Sequence, residues 1–205
     1  QKADTGSNFR ERECVMPPGP AGGQIAMSSQ HRTLADPRQD EYRILHEADL
    51  RDYLAGVPAV AARLGGAPAA WSISEVGDGN LNLVFIVRGP AGGVCVKQAL
   101  PYVRLVGEGW PMPLKRAYFE HQCLTEHGRH VGRLLPDIYH YEPPLYAIVM
   151  ELLQPHIIMR RGMIQGIRYP RFAADIAGYM AKSLFFTSDL ALPAGEKKRM
   201  MALFC

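Results

Sequence analysis

The chain has 205 residues, of which 47% are hydrophobic and 21% are charged, and its formal net charge is +3 at pH 7. This composition is typical of a globular protein that buries a core. The mild charge and the lack of any run of five lysines or arginines argue against nucleic-acid binding. No apolar run approaches the roughly 18 residues that a membrane helix needs, so we expect a cytoplasmic protein without a membrane partner.

The cysteines are widely spaced at Cys14, Cys95, Cys123 and Cys205, and neither a CxxC pair nor an HxxxH pair accompanies them. This spacing predicts free thiols in a reducing compartment rather than a zinc site. We therefore predict no metal ligands from the cysteines and histidines of this chain.

The first 38 residues are rich in glycine, proline, serine and glutamine and contain few large aliphatic side chains. We expect them to be disordered or to be a non-native extension. Apolar residues then recur at three- and four-residue intervals over residues 50–64, which predicts an amphipathic helix. Because Pro58 would divide this helix and Gly65 would end it, we expect residues 39–67 to form N-terminal helices.

Five short apolar segments are bounded by turn residues in the way that β-strands are. They are residues 71–76, 81–88, 94–100, 137–141 and 145–150. A helix that Gly128 ends is predicted over residues 114–127, after the third strand. Three antiparallel strands, a helix and two strands are the order of a kinase N-lobe. The predicted fold class is therefore α+β, with a protein-kinase-like N-lobe over residues 68–153 that contains an antiparallel sheet and a C-helix.

Two further helices, at residues 171–186 and 196–204, would be the truncated start of a helical C-lobe over residues 154–205. Helices of such a lobe are normally covered by later ones. We expect the following apolar side chains to be exposed: Phe172, Ile176, Met180, Leu184, Leu203 and Phe204. The expected consequence is aggregation of the 205-residue chain when it is expressed alone.

The turn GDGNLN at residues 77–82 places Gly77 and Gly79 between the first two strands. Glycines let backbone N–H groups come close to phosphate oxygens. A lysine on the third strand, Lys97, could bring its ammonium to the same phosphates. A plain hairpin can also carry two glycines, so the turn alone does not decide between the two interpretations.

The surroundings of Lys97 favour the phosphate-binding interpretation. This lysine shares a strand face with Cys95 in a strand that is apolar enough to be largely buried, and a buried lysine needs an anionic partner. Glu120 lies on the following helix, where the C-helix glutamate of a kinase forms that pair. The alternative is a solvated carboxylate beside Lys115 or Arg116.

Several ordered motifs resemble one family of small-molecule kinases. They are GDGNLNLVF (77–85), VKQALPY (96–102), VGEGWP (106–111), VMELL (149–153), RGMIQG (161–166) with YP (169–170), and LFFTSDL (184–190). Over residues 42–204 the chain resembles the S-methyl-5-thioribose kinases, which act in methionine salvage. The resemblance implies an aminoglycoside-phosphotransferase-like, protein-kinase-related fold.

This resemblance implies roles for particular residues. Asn82 and Lys97 would contact ATP, and Glu120 would pair with Lys97. The adenine hinge would consist of Glu151, Leu152 and Leu153. Trp110 would lie on a loop that covers the active site and excludes water, and the alternative for Trp110 is a packing anchor beside prolines.

The reaction implied by the resemblance is transfer of the ATP γ-phosphoryl group to the 1-hydroxyl of 5-methylthioribose, with Mg²⁺, in a homodimer. The family uses a His-Gly-Asp-Leu-His type catalytic loop and an Asp-Pro-Glu type metal motif. Neither motif occurs in the 205 residues. We therefore assign no catalytic or metal-binding residue within this chain, expect the catalytic aspartate beyond Cys205, and expect the chain alone to be inactive.

Two other functions remain open from the sequence. A choline, homoserine or aminoglycoside kinase of the same fold would share the lysine and the hinge. A noncatalytic nucleotide-binding module would also lack a catalytic base.

Overall fold

The computed structural model describes residues 41–77 and 79–204. The predicted disorder of the first 38 residues lies outside these ranges, as do Cys14, Cys205 and Asp78 of the glycine turn. No helix in the described ranges combines the length and the apolar character needed to cross a membrane. The predicted boundaries at residues 67/68 and 153/154 stay predictions.

Two short helices begin the described chain, as the sequence predicts. They are α1 (Glu47–Ala55) and α2 (Pro58–Leu64). Pro58 is the first residue of α2, a position where the missing N–H of proline costs nothing because that N–H has no helical partner. Gly65 follows α2 with a φ of +65°, a conformation that glycine adopts without strain.

In the part of the chain that the structure describes, seven strands follow the first two helices. In chain order they are β1 (Ser72–Glu75), β2 (Asn82–Arg88), β3 (Gly93–Ala99), β4 (Tyr102–Val103), β5 (Gly107–Pro111), β6 (Ile138–Glu142) and β7 (Ala147–Glu151). Five of them form one sheet in the order β1-β2-β3-β7-β6, and each neighbouring pair is antiparallel. The five strands predicted from the sequence are confirmed, with ends shifted by one or two residues.

The hairpin of β4 and β5 was not predicted. Tyr102 pairs with Pro111 and Val103 with Gly107, with a register shift between the two pairs. Gly107 has a φ of +73°, which suits glycine at a sharp reversal. The segment is rich in glycine and proline, which are poor strand formers, so its sequence gave no strand signal.

The remaining helices are α3 (Arg116–Val131), α4 (Met159–Ile164), α5 (Phe172–Phe186) and α6 (Ala194–Phe204). The prediction that Gly128 ends the third helix is wrong. α3 runs through Gly128 and ends at Val131, and the next residue, Gly132, has a φ of +59° that leaves the helical region. α4 was not predicted because its six residues are too few to show a helical period.

The main core lies between the first two helices and one face of the sheet. Its members include Leu50, Leu54, Phe85 and Val96, all of them buried. β3 alternates between half-buried and buried side chains, so one of its faces packs on this core.

A polar residue, Gln98, is fully buried on the core face of β3. Its side-chain oxygen accepts a hydrogen bond from the Leu45 N–H at 2.8 Å, and its amide nitrogen donates to the carbonyls of Arg43 at 2.8 Å and Leu145 at 3.0 Å. One side chain therefore attaches three chain segments to one another.

The apolar stripe on α5 is exposed, as expected from the sequence. Phe172 is 45% exposed, Ile176 43%, Met180 50% and Leu184 65%. Phe204 on α6 is also exposed, although its ring lies 6.0 Å from that of Phe119. Leu203 differs from the expectation because it is half-buried.

We predict that Gln98→Ala lowers the free energy of unfolding by more than about 2 kcal/mol, because buried groups left unpaired cost about 1–3 kcal/mol each. Urea unfolding of the protein followed by circular dichroism measures this loss. Gln122→Ala on α3 is the matched control, and its stability should stay within about 0.5 kcal/mol of the parent. Equal stabilities of the two variants would contradict the role of Gln98.

Candidate nucleotide site

An ion pair between β3 and α3 forms the centre of the candidate site. The Lys97 Nζ lies 2.5 Å from Oε1 of Glu120. Their side chains are 26% and 35% exposed, so the lysine is half-buried rather than largely buried as expected. The structure brings together two residues that lie 23 positions apart in the sequence, and it does not support the alternative of a solvated carboxylate at Glu120.

The sheet face that carries Lys97 is apolar on both sides of the lysine. Lys97 is opposite Val84 of β2 and opposite Ile148 of β7. Residues paired in this way present their side chains on one face. Two residues earlier on β3, Cys95 is likewise paired with Ile86 and Met150. An ammonium on an apolar platform is suited to a ligand with an anionic part and a flat apolar part.

The thiol on this platform is a free cysteine, as predicted. Burial raises the pKa of Cys95, and the positive charge of Lys97 opposes that shift. Since the thiolate is the reactive form, this thiol is less reactive near neutral pH than an exposed one.

The glycine turn is tight at one glycine and open at the other. A Cβ built on Gly79 would lie 2.3 Å from the carbonyl oxygen of Asn82, whereas a Cβ on Gly77 would meet no atom within 4 Å. Position 79 therefore requires glycine because of a close backbone approach, and position 77 does not show this constraint.

Arg104 holds the glycine turn in place, a role that sequence reasoning missed. Its backbone N–H donates to the Asn80 carbonyl at 2.8 Å, and its Nη1 lies 2.6 Å from Oε1 of Glu75. The turn is thereby attached to β1 and to the segment that follows β4.

Asn82 is the first residue of β2 and pairs with Ala99. Since Val84 pairs with Lys97, Asn82 and Lys97 are diagonal neighbours on one face, where Cα atoms are about 7–8 Å apart. The structure therefore brings Asn82, Lys97 and Glu120 to the same part of the sheet.

The predicted hinge residues are the last residue of β7 and the two residues that follow it. The Glu151 N–H donates to the Asp137 carbonyl at 2.8 Å, and its carboxylate accepts from the Asp137 N–H at 3.2 Å. Leu152 packs close to Gly93, where a Cβ would lie 2.7 Å from its Cδ2. The amide of Glu151 is therefore used within the protein, and Leu153 is exposed. The hinge role of these three residues stays a prediction.

Trp110 lies on β5 and is 58% exposed. Leu105 and Val106, in the turn of the same hairpin, are 77% and 55% exposed. An indole with this exposure is not a packing anchor within the described residues. Its predicted place on a covering loop stays a prediction.

No group of three histidine, cysteine or acidic side chains that could hold a metal ion occurs in residues 41–77 and 79–204. The absence of metal-binding residues from this chain stays a prediction. The predicted ATP contacts at Asn82 and Lys97 also stay predictions, although both side chains lie on the same face.

A lysine fixed by a glutamate beside a glycine turn suits phosphate binding, and the curated proteins to which this chain is similar are named as kinases. The chain is 46% identical over 172 residues to "Methylthioribose kinase 2" of Oryza sativa subsp. japonica, an alignment that covers 83% of this chain and 40% of the rice protein. It is 48% identical over 165 residues to "Methylthioribose kinase 1" of the same plant, covering 80% of this chain and 38% of that protein.

A bacterial relative gives the same result. "Methylthioribose kinase" of Escherichia coli O45:K1 (strain S88 / ExPEC) is 43% identical over 164 residues, 80% of this chain and 39% of that protein. The resemblance predicted from the sequence is confirmed: the chain is homologous to the methylthioribose kinases. It spans about two fifths of the length of these curated relatives. No protein-family model matches the chain.

We predict that Gly79→Ala disturbs the turn while Gly77→Ala does not, because only the methyl at position 79 meets a backbone oxygen. Amide hydrogen exchange over residues 80–84 should be at least about tenfold faster in Gly79→Ala than in the parent, which corresponds to a local opening that is about 1.4 kcal/mol easier. Faster exchange in Gly77→Ala, or equal exchange in all three proteins, would contradict the close approach at Gly79.

Proposed function

We propose that this chain supplies the nucleotide-binding lobe, and the start of the second lobe, of an ATP-dependent kinase that phosphorylates the 1-hydroxyl of 5-methylthioribose in methionine salvage. The observation that carries the proposal is the Lys97–Glu120 ion pair beside the glycine turn. The homology to methylthioribose kinases supports it. The proposal includes a protein-kinase-like N-lobe, a cytoplasmic location and a homodimer.

Lys97 would act as a fixed cation for the nucleotide phosphates. Glu120 holds the ammonium in place, so little reorganisation is needed when the phosphates arrive. ATP supplies the transferred γ-phosphoryl group, and Mg²⁺ would neutralise part of its charge. The catalytic base and the metal ligands are not assigned to this chain.

Other residues near Lys97 would contact the remaining parts of the nucleotide. Asn82 would add a side-chain amide at the phosphates, and the backbone of the turn would approach them at Gly77 and Gly79. The adenine ring would lie on the apolar platform around Cys95. Leu152 and Leu153 would offer the backbone groups of the hinge.

The specific acceptor distinguishes this proposal from its alternatives. A choline, homoserine or aminoglycoside kinase would use the same lysine with another acceptor, and a nucleotide-binding module would transfer no phosphate. Transfer of labelled γ-phosphate from ATP to 5-methylthioribose by a full-length kinase that contains this chain, without transfer to the other three acceptors, is the expected result. Transfer to one of the other acceptors would overturn the substrate assignment.

We predict that Lys97→Ala in this full-length kinase lowers the transfer by about 100- to 1000-fold, as expected for loss of one preorganised electrostatic contact, and that it preserves the fold. Lys198 on α6 is exposed, so Lys198→Ala serves as the matched control and should keep the parent rate. Circular dichroism checks that both variants fold. An undiminished rate in a folded Lys97→Ala variant would remove this lysine from the mechanism.

The position of Cys95 permits a test that needs no turnover. We predict that a nonhydrolysable ATP analogue slows alkylation of Cys95 by iodoacetamide at least about fivefold, because the adenine ring would cover the thiol. Cys123 on α3 is the internal control, since it lies off the sheet face and its pKa is also raised, by burial first and then by Glu120. Peptide mass spectrometry measures both thiols in one sample, and equal protection of the two would contradict the placement of the ring.

A further inference from the structure

Arg116, the first residue of α3, makes contacts that no role described above explains. Its Nη2 donates to the carbonyl oxygen of Leu81 and lies 3.5 Å from Oδ1 of Asn82. Its Nη1 donates to the Pro113 carbonyl at 2.8 Å. One guanidinium thus joins the end of the glycine turn to the chain that enters α3.

The guanidinium of Arg116 is partly withdrawn from solvent. Arg116 is half-buried, and its Nε is buried without a hydrogen-bond partner in the described ranges. Burial lowers the pKa of Arg116, whereas the nearby Tyr42 and Glu120 raise it. An arginine keeps its charge under such conditions, so the carbonyl oxygens of Leu81 and Pro113 partly offset its lost hydration.

Arg116 and Glu120 are four residues apart, and such residues lie on one face of a helix. Glu120 attaches this face to Lys97 of β3, and Arg116 attaches it to Leu81 and Asn82. A shift of α3 that separates the ion pair would therefore also pull on the end of the turn. The fork of the guanidinium matters here, because two donors reach two different segments at once.

We propose that Arg116 is a positioning residue that couples the glycine turn to α3 and so sets the Asn82 amide relative to the Lys97–Glu120 pair. The consequence for nucleotide affinity rests on the proposed function. The coupling itself is a property of the chain without ligand.

The coupling is tested first without nucleotide. Amide hydrogen exchange over residues 80–85 should be at least about tenfold faster in Arg116→Ala and also in Arg116→Lys, which keeps the charge and loses the fork. Arg129→Ala is the matched control, because Arg129 lies on the same helix, is largely exposed and pairs with Glu126. Exchange over residues 122–131 should not change in any variant.

Three results would overturn the coupling. Parent-like exchange of the turn in Arg116→Ala would show that the guanidinium does not hold it. Parent-like exchange in Arg116→Lys would show that charge alone suffices. Faster exchange over residues 122–131 would show that Arg116 only stabilises the helix.

Nucleotide affinity is tested by a double-mutant cycle of Arg116→Ala and Asn82→Ala, with a nonhydrolysable ATP analogue in isothermal titration calorimetry. If Arg116 acts through Asn82, the double variant should lose no more affinity than the weaker-binding single variant. If the affinity losses of the two single variants multiply in the double variant, Arg116 does not act through Asn82.

The two proposals can fail separately. If the parent protein binds no analogue while Arg116→Ala still speeds exchange of the turn, the proposed function fails and the coupling stands. If the parent binds the analogue, and Arg116→Ala changes neither the exchange of the turn nor the affinity, the coupling fails and the proposed function stands.

Discussion

The charge of Lys97 is the constraint on which the arrangement around β3 depends. An ammonium with a quarter of its side chain exposed loses hydration, and an anion at short range must offset that loss. Glu120 supplies the anion from α3, a helix that is not part of the sheet. The helix is therefore held at a definite position along β3, since a carboxylate one turn away on α3 would be about 5.4 Å from its present place.

β3 can carry this charge because one of its faces packs on the core while the other carries the lysine. Cys95 and Lys97 lie on the platform face, whereas Val94, Val96 and the buried Gln98 face the core. The hydrogen bonds of Gln98 bind the strand to the segment before α1 and to the turn before β7. Because these bonds fix β3, the backbone position from which the Lys97 side chain extends is well defined, as preorganised sites require.

The elements with a strong local pattern could be predicted from the sequence. Alternation in β2 and β3 and the three- and four-residue spacing before Gly65 gave correct strands and helices. The end of α3 was misplaced because Gly128 keeps a helical conformation, whereas the chain turns to a positive φ only at Gly132. The β4–β5 hairpin was missed because its strands form by pairing across a glycine turn rather than by their own propensity.

Some residues of the candidate site could likewise be predicted from the sequence, and others could not. Lys97 and Glu120 could be anticipated because a charged side chain in an apolar strand needs a partner of opposite charge. Both partners are side chains, which can be read directly from the sequence. Gln98, Arg104 and Arg116 could not, because each of them bonds to a backbone carbonyl that is distant in the sequence, and every residue has such a group. One signal was available, since Gln98 is polar at a position whose neighbours Val94 and Val96 face the core. A polar residue on the core face of a strand has to find buried partners, and here those partners fix the strand that carries the lysine.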